Sequence, residues 1–218
     1  NSGMAEFVAA IEDIEPPGGE PVWRAWQAEM RAEYVERLSS GTRDPGRGVD
    51  LAVVVKHVRE TMPSSTIVTN GAGNYTAWCH RYFQFHEFGT QIAPTNGAMG
   101  YGLPAAIGSM IASPGARAVA FAGDGCFLMS GQEMATAVQY GVNVIVIVIN
   151  NGRYGTIRLH QEKSYPGRPI GTDIHVPNFS ALAAAYGAHG ERVYETEGFA
   201  DALRRAIDAD RPALIELM

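Results

Sequence analysis

Cysteine is scarce in this chain: Cys79 and Cys126 are the only two in 218 residues. Two thiols so far apart make neither a disulfide framework nor the close ligand spacing of a zinc site. Long hydrophobic runs are missing as well. The longest, Val144 to Ile149, covers six residues, against the roughly 20 that a helix needs to span a bilayer. Positive charge is in deficit, since 17 Lys and Arg stand against 23 Asp and Glu for a formal net charge of −6. That balance argues against a nucleic-acid partner, whose binding face collects basic residues. No basic stretch followed by an apolar core opens the sequence in the manner of a secretory signal, so a reducing cytoplasm is the expected compartment. There is no internal repeat and no low-complexity tract. The remainder, 46% apolar and 18% charged residues, suits one ordinary globular domain with a sizeable core and a short extension.

The chemistry concentrates between Ala118 and Arg158. Ala118-Val119-Ala120-Phe121-Ala122 reads as a strand and runs into Gly123-Asp124-Gly125. A helical segment through Glu133 and Ala137 leads to the apolar run Val144–Ile149, and that run ends in Asn150-Asn151-Gly152-Arg153-Tyr154-Gly155. This is a β-α-β unit with an acidic glycine turn after one strand and an amide-rich turn after the next. In a parallel sheet both turns fall at the carboxyl ends of their strands, where α/β folds bind ligands. Asp124 and Asn151, 27 positions apart, would then offer two oxygen donors side by side. A hard cation such as magnesium takes such a pair and fills its other positions from a carbonyl, water and phosphate oxygens. The glycines allow close backbone approach, and the next helix begins with free N–H groups suited to an anion.

Three plainer readings compete. A dinucleotide fingerprint would need a third glycine where Leu128 stands. A simple Asp-Gly turn is the second. The third makes Asn151-Gly152 a hairpin turn; against it, Arg153 to Gln161 does not alternate like a returning strand, and Val144–Ile149 is apolar on both faces, as a central parallel strand is. The wider pattern gives an α/β fold, doubly wound, with a mostly parallel sheet of five or six strands and helices on both faces.

Gly123-Asp124-Gly125 followed at this distance by Asn150-Asn151 resembles the signature of thiamine diphosphate-dependent enzymes. More closely, the chain from about Val49 onward resembles the C-terminal, diphosphate-binding domain of the acetolactate synthase-like branch. The resemblance implies thiamine diphosphate and magnesium as cofactors. It carries the metal ligands onto Asp124, the Asn151 side chain and the Arg153 carbonyl, and it sets Gly123, Gly125 and Cys126 around the diphosphate. Asn74 and Tyr75, after a short strand at Thr66–Thr69, become candidate diphosphate donors, although a plain Asn-Gly turn explains Asn70–Asn74 equally well. In Thr95–Pro104, the Gly97 carbonyl and the Met99 N–H would hold the aminopyrimidine ring, and the Met99 side chain would wedge the cofactor into its bent form. Gly97, Gly100 and Gly102 would let the backbone approach something flat. Tyr154, Gly155 and Thr156 would lie toward the cofactor's reactive end, in a segment that differs from typical biosynthetic acetolactate synthases.

For a whole enzyme the resemblance implies decarboxylation of, or carbon–carbon bond formation from, a 2-keto acid, with the cofactor as electron sink. The family's activating glutamate belongs to a separate pyrimidine-binding domain, on the same polypeptide or a second subunit. No strand–glutamate–helix context for it occurs in the first 48 residues, and Glu133 has the wrong setting. The expectation is therefore half of an active site, inactive alone, in a homodimer or homotetramer. A natural separate subunit of a two-chain decarboxylase and a non-catalytic cofactor-binding module are the alternatives.

The rest of the chain carries less chemistry. Trp23, Trp26, Met30, Tyr34 and Leu38 recur at helical spacing, and Ser39–Gly46 resembles a linker. Residues 1–47 then form the tail of a preceding domain, and 48–218 the binding domain. Helices are expected near Val49–Glu60, Phe179–Tyr186 and Gly198–Ala209, and strands at Glu191–Tyr194 and Ala213–Leu217. Residues 162–178 should form an irregular loop of the kind that orders with a ligand. The aromatic cluster from Tyr75 to Phe88 favours packing, with His80 and His86 the less favoured catalytic candidates.

Overall fold

The computed structural model describes residues 2–12, 14–15, 18–39, 46 and 48–218. It divides into two compact units, residues 1–41 and 42–218. In the first, α1 (Ser2–Glu12) and α2 (Arg24–Ser39) are helices. The apolar series expected to define an amphipathic helix is there, but Trp23, Trp26, Met30 and Tyr34 are exposed. The linker proposed at Ser39–Gly46 lies largely outside the described residues.

The second unit is built on one six-stranded sheet whose strands all run parallel. They are β1 (Ile67–Asn70), β2 (Gln91–Ile92), β3 (Ala118–Gly123), β4 (Ile145–Ile149), β5 (His189–Val193) and β6 (Ala213–Leu217), in the order β2-β1-β3-β4-β6-β5. Strands β3, β4 and β6 form the middle. Apart from the half-buried Ile149 at the rim, their alanine, valine, isoleucine and leucine side chains are buried on both faces, as a sheet covered on both sides requires. The register sets Val119 beside Ile145 and Ile145 beside Ala213.

Helices cover the sheet for local reasons. In α3 (Leu51–Thr61) the Asp50 carboxylate caps the start, accepting the Ala52 N–H at 2.8 Å, and Ala52, Val54, Val55 and Val58 are buried. Such a cap is worth about 1 kcal/mol. Met62 closes the helix by returning its N–H to Val58, and Pro63 prevents continuation. Next come α4 (Thr76–Tyr82) and α5 (Gly102–Ala112), the latter tied to β1 by the Thr69 hydroxyl, which donates to the Gly102 carbonyl at 2.7 Å. The helix expected after Asp124 is interrupted: α6 (Asp124–Ser130) and α7 (Met134–Gln139) flank one 3-10 turn at Gly131–Glu133. A side chain at Gly131 would stand 2.8 Å from the Phe127 ring, so the tight turn packs against the core there. Helices α8 (Gly155–Ser164), α9 (Phe179–Ala185) and α10 (Phe199–Asp208) complete the unit.

Two expectations change. Helix α8 occupies ground read only as non-strand, and the loop beyond it is fastened rather than free. Tyr154 donates its N–H to the Thr172 carbonyl at 2.7 Å and Ile174 to the Gly152 carbonyl at 3.0 Å. Thr172 is buried. The strand order reverses direction between β1 and β3, and such a switch point opens a crevice at the carboxyl rim. Among the described residues no helix is long and apolar enough to cross a membrane.

Candidate cofactor site

The loops after β1, β3 and β4 meet the Gly97–Met99 segment at that rim and enclose a cavity of about 570 Å³. The residues assigned to metal, diphosphate and pyrimidine all line it: Asn74 and Tyr75 from the first loop, Gly97 and Met99, Gly123 to Cys126 after β3, and Asn151 and Arg153 to Thr156 after β4. Leu51, Trp78 and Ile157 line it too. Ile157 continues the Tyr154–Thr156 segment, whereas Leu51 and Trp78 went unrecognised because they read as parts of a core stripe and an aromatic cluster.

Asp124 is the polar centre, only 3% exposed. Its Oδ1 accepts the Gly125 N–H at 2.7 Å. Its Oδ2 accepts the Gly152 N–H at 2.6 Å, the Asn151 N–H at 3.1 Å and the Arg153 N–H at 3.3 Å. The carboxylate of one turn thus organises the backbone of the other through charge-assisted hydrogen bonds. The Asn151 side chain joins it, with Oδ1 accepting the same Arg153 N–H at 3.2 Å. Both side-chain oxygens therefore lie within 3.3 Å of one nitrogen. The Arg153 carbonyl accepts the Gly155 N–H at 2.9 Å and keeps a second lone pair.

The glycines do not all serve the ligand. Gly97 adopts φ +68° beside open space, consistent with close approach by something external. Gly100 and Gly102, expected to share that task, serve the protein instead. A side chain at Gly100 would meet Met129 Cβ at 3.0 Å, and one at Gly102 would meet the Asn70 backbone at 3.1 Å. Gly125 is roofed by Tyr154 and by the Met99 methyl group.

Tyr75 also departs from expectation. Its hydroxyl accepts the Gly71 N–H at 3.0 Å and points its proton toward Cys126 Sγ at 3.7 Å, while that thiol donates to the Ala72 carbonyl at 2.9 Å. Burial first, then the neighbouring thiol, pushes the Tyr75 hydroxyl far above its ordinary range. It is a neutral strut between two loops, with its proton already committed, and not a spare donor to a diphosphate. Asn74 differs: its Oδ1 accepts the Thr156 hydroxyl at 2.9 Å, a bond that leaves its amide N–H groups, the expected donors, uncommitted. His80 and His86 are exposed and lie outside the cavity lining, and His80 only approaches Asn70 Oδ1 at 3.4 Å.

One buried carboxylate, one amide and a carbonyl are too few to cage a cation alone. No cluster of three His, Cys, Asp or Glu occurs among the described residues. A ligand bringing anionic oxygens of its own would complete the set, and a phosphate-bearing cofactor domain is the class this rim defines. The family follows from comparison with known proteins. A model described as thiamine pyrophosphate enzyme, C-terminal TPP binding domain, matches residues 71–217, and the chain belongs to that family.

The chain is 38% identical over 154 residues to the mitochondrial acetolactate synthase catalytic subunit of Aspergillus candidus, covering 70% of this chain and 22% of that one. It is 33% identical over 210 residues to the sulfoacetaldehyde acetyltransferase of Alcaligenes xylosoxydans xylosoxydans, covering 89% of this chain and 35% of that one. The solved thiamine diphosphate-dependent 4-hydroxybenzoylformate decarboxylase of Rhodococcus jostii RHA1 superposes with a TM-score of 0.78 at 28% identity, covering 99% of this chain and 38% of that one. The chain thus spans well under half the length of these relatives. It is a thiamine diphosphate-binding domain of acetolactate synthase-like or related thiamine diphosphate-dependent enzymes.

Proposed function

We propose that this domain binds the diphosphate of thiamine diphosphate through one magnesium ion, as half of the active site of a 2-keto acid decarboxylase or carboligase. The convergence of Asp124 Oδ2 and Asn151 Oδ1 on the single Arg153 N–H carries the reading. The donor set fits the ion: all are hard oxygens, and a single protein charge leaves the diphosphate to neutralise the rest. Asp124, the Asn151 side chain and the Arg153 carbonyl hold the metal.

The other residues bind and orient. The Cys126 N–H and the glycine backbone at 123–125 face the phosphates; the Gly125 N–H is already drawn to Asp124 Oδ1. The Gly97 carbonyl and the Met99 N–H hold the pyrimidine. The Met99 side chain, partly buried against the core, supports the bent cofactor, and a polarizable thioether suits that place. Tyr154, Gly155 and Thr156 line the reactive end, and the Thr156–Asn74 hydrogen bond ties α8 to the loop after β1. When bound, thiamine diphosphate supplies the electron sink for carbanion chemistry.

The acidic group that activates the pyrimidine comes from a pyrimidine-binding domain, on the same polypeptide or a second subunit, within a homodimer or homotetramer. The relatives include a synthase, an acetyltransferase and a decarboxylase. They share a cofactor in this reading and differ in the reactions that their names give. Calorimetric titration of the chain with thiamine diphosphate, in magnesium and again in EDTA, tests the metal reading. Saturable heat that vanishes in EDTA is expected, and equal binding in both would refute it.

A further inference from the structure

Glu216 is a carboxylate in the middle of a buried strand, fully enclosed on β6. Desolvating such a charge is costly, and apolar residues of similar volume often serve stability as well or better. Its partners explain where it is. Arg192 on β5, directly opposite in the register, donates through Nε at 2.7 Å and Nη2 at 3.0 Å. The Ser180 N–H approaches the same carboxylate at 3.3 Å. The remaining contact leads to the cofactor rim: Asn150 Nδ2 donates to Glu216 Oε1 at 2.7 Å.

Asn150 is the first residue of the turn after β4. Its own Oδ1 accepts the Gly152 N–H at 3.2 Å, and that N–H lies 2.6 Å from Asp124 Oδ2. A continuous chain of polar contacts therefore runs Glu216–Asn150–Gly152–Asp124. Backbone pairing adds a second tie, from the Asn150 N–H to the Leu217 carbonyl at 2.9 Å.

We infer that Glu216, charge-balanced by Arg192, is a positioning residue that sets the Asn150–Gly152 turn and thereby aligns Asp124 and Asn151 on their ion. The inference rests on the magnesium reading above. Supports of this kind behind metal ligands are typically worth 10- to 100-fold in metal affinity.

The test separates positioning from mere structure. In the 218-residue chain, Glu216→Met with Arg192→Met removes both charges while keeping the volume filled, and Asn150→Ala cuts the same relay further along. Thermal melting and the magnesium dependence of thiamine diphosphate binding are measured for wild type, each variant and their combination, with the ligand-induced change in tryptophan fluorescence from Trp78 at the cavity as the signal, in a Trp23→Phe/Trp26→Phe background. The expected result is that the Glu216→Met/Arg192→Met chain still melts cooperatively, lowered by no more than the stranded Asn150 and Ser180 donors explain, yet needs about tenfold more magnesium or beyond. The combination with Asn150→Ala should be no worse than Asn150→Ala alone, because the residues act in series. Unchanged magnesium dependence in the charge-free variant, or additive losses in the combination, would overturn the inference. Wild-type binding that ignores magnesium would overturn the metal reading, and with it this inference.

Discussion

Tyr154 lies so close over Gly125 that the glycine has no room for a side chain: a methyl group on Gly125 would stand 2.7 Å from Tyr154 Cε1 and 3.0 Å from Cδ1, with the Met99 methyl at 3.3 Å. The turn after β3 and the turn after β4 are thus in van der Waals contact as well as hydrogen bonded. Gly125→Ala is expected to displace the Tyr154 ring and cost about 1–3 kcal/mol of stability, the usual range for overpacking. Adding Tyr154→Ala should recover part of that loss in a denaturant titration. No recovery would place the strain elsewhere.

Tyr75 gives a second prediction. Tyr75→Phe leaves the Gly71 N–H buried without its acceptor, a loss of about 1–3 kcal/mol. Because the hydroxyl is a strut, magnesium-dependent cofactor affinity, measured where the variant is folded, should fall far less than in Asp124→Ala. An equal fall would restore the hydroxyl as a diphosphate donor.

Much of this architecture is legible in the sequence. The apolar run ending in Asn150-Asn151, and Gly123-Asp124-Gly125 before a helix, disclose the parallel strands and the rim because strand burial and turn chemistry are local. Helix α8 escaped because it buries no residue, so there is no apolar stripe to read. Strand β2, two residues long, is below any pattern. Gly100 and Gly102 were assigned to the ligand because a sequence shows that a glycine allows close approach, but not to what. Leu51, Trp78 and Glu216 matter through neighbours far away in the chain, which spacing does not encode.

Acid stability offers a third measurement. Hydrogen bonds from Arg205, and then His189, hold the Glu191 carboxyl below the usual glutamate range. A depressed folded value means stabilisation that is full above the unfolded value of about 4.3 and lost as pH falls through the folded one. Arg205→Ala should therefore lower the melting temperature at pH 7, and the gap to wild type should close toward pH 3. His189 faces the same carboxylate in both chains. A gap independent of pH would mean that Arg205 acts through packing.

Turnover gives a fourth. With magnesium and thiamine diphosphate supplied, the 218-residue chain should convert 2-keto acids at a negligible rate, because the proposed function assigns the activating acid to another domain. Addition of a matching pyrimidine-binding domain should raise the rate. Appreciable carboligation by the chain alone would contradict the division of labour.

The most direct test is a crystal structure of the chain with thiamine diphosphate and manganese standing in for magnesium, with the metal located by its anomalous scattering. One peak is expected at the rim, about 2 Å from an Asp124 oxygen, Asn151 Oδ1 and the Arg153 carbonyl, bridging to the diphosphate. A peak that misses either side chain, or a diphosphate seated with no metal between it and Asp124, would contradict the metal reading.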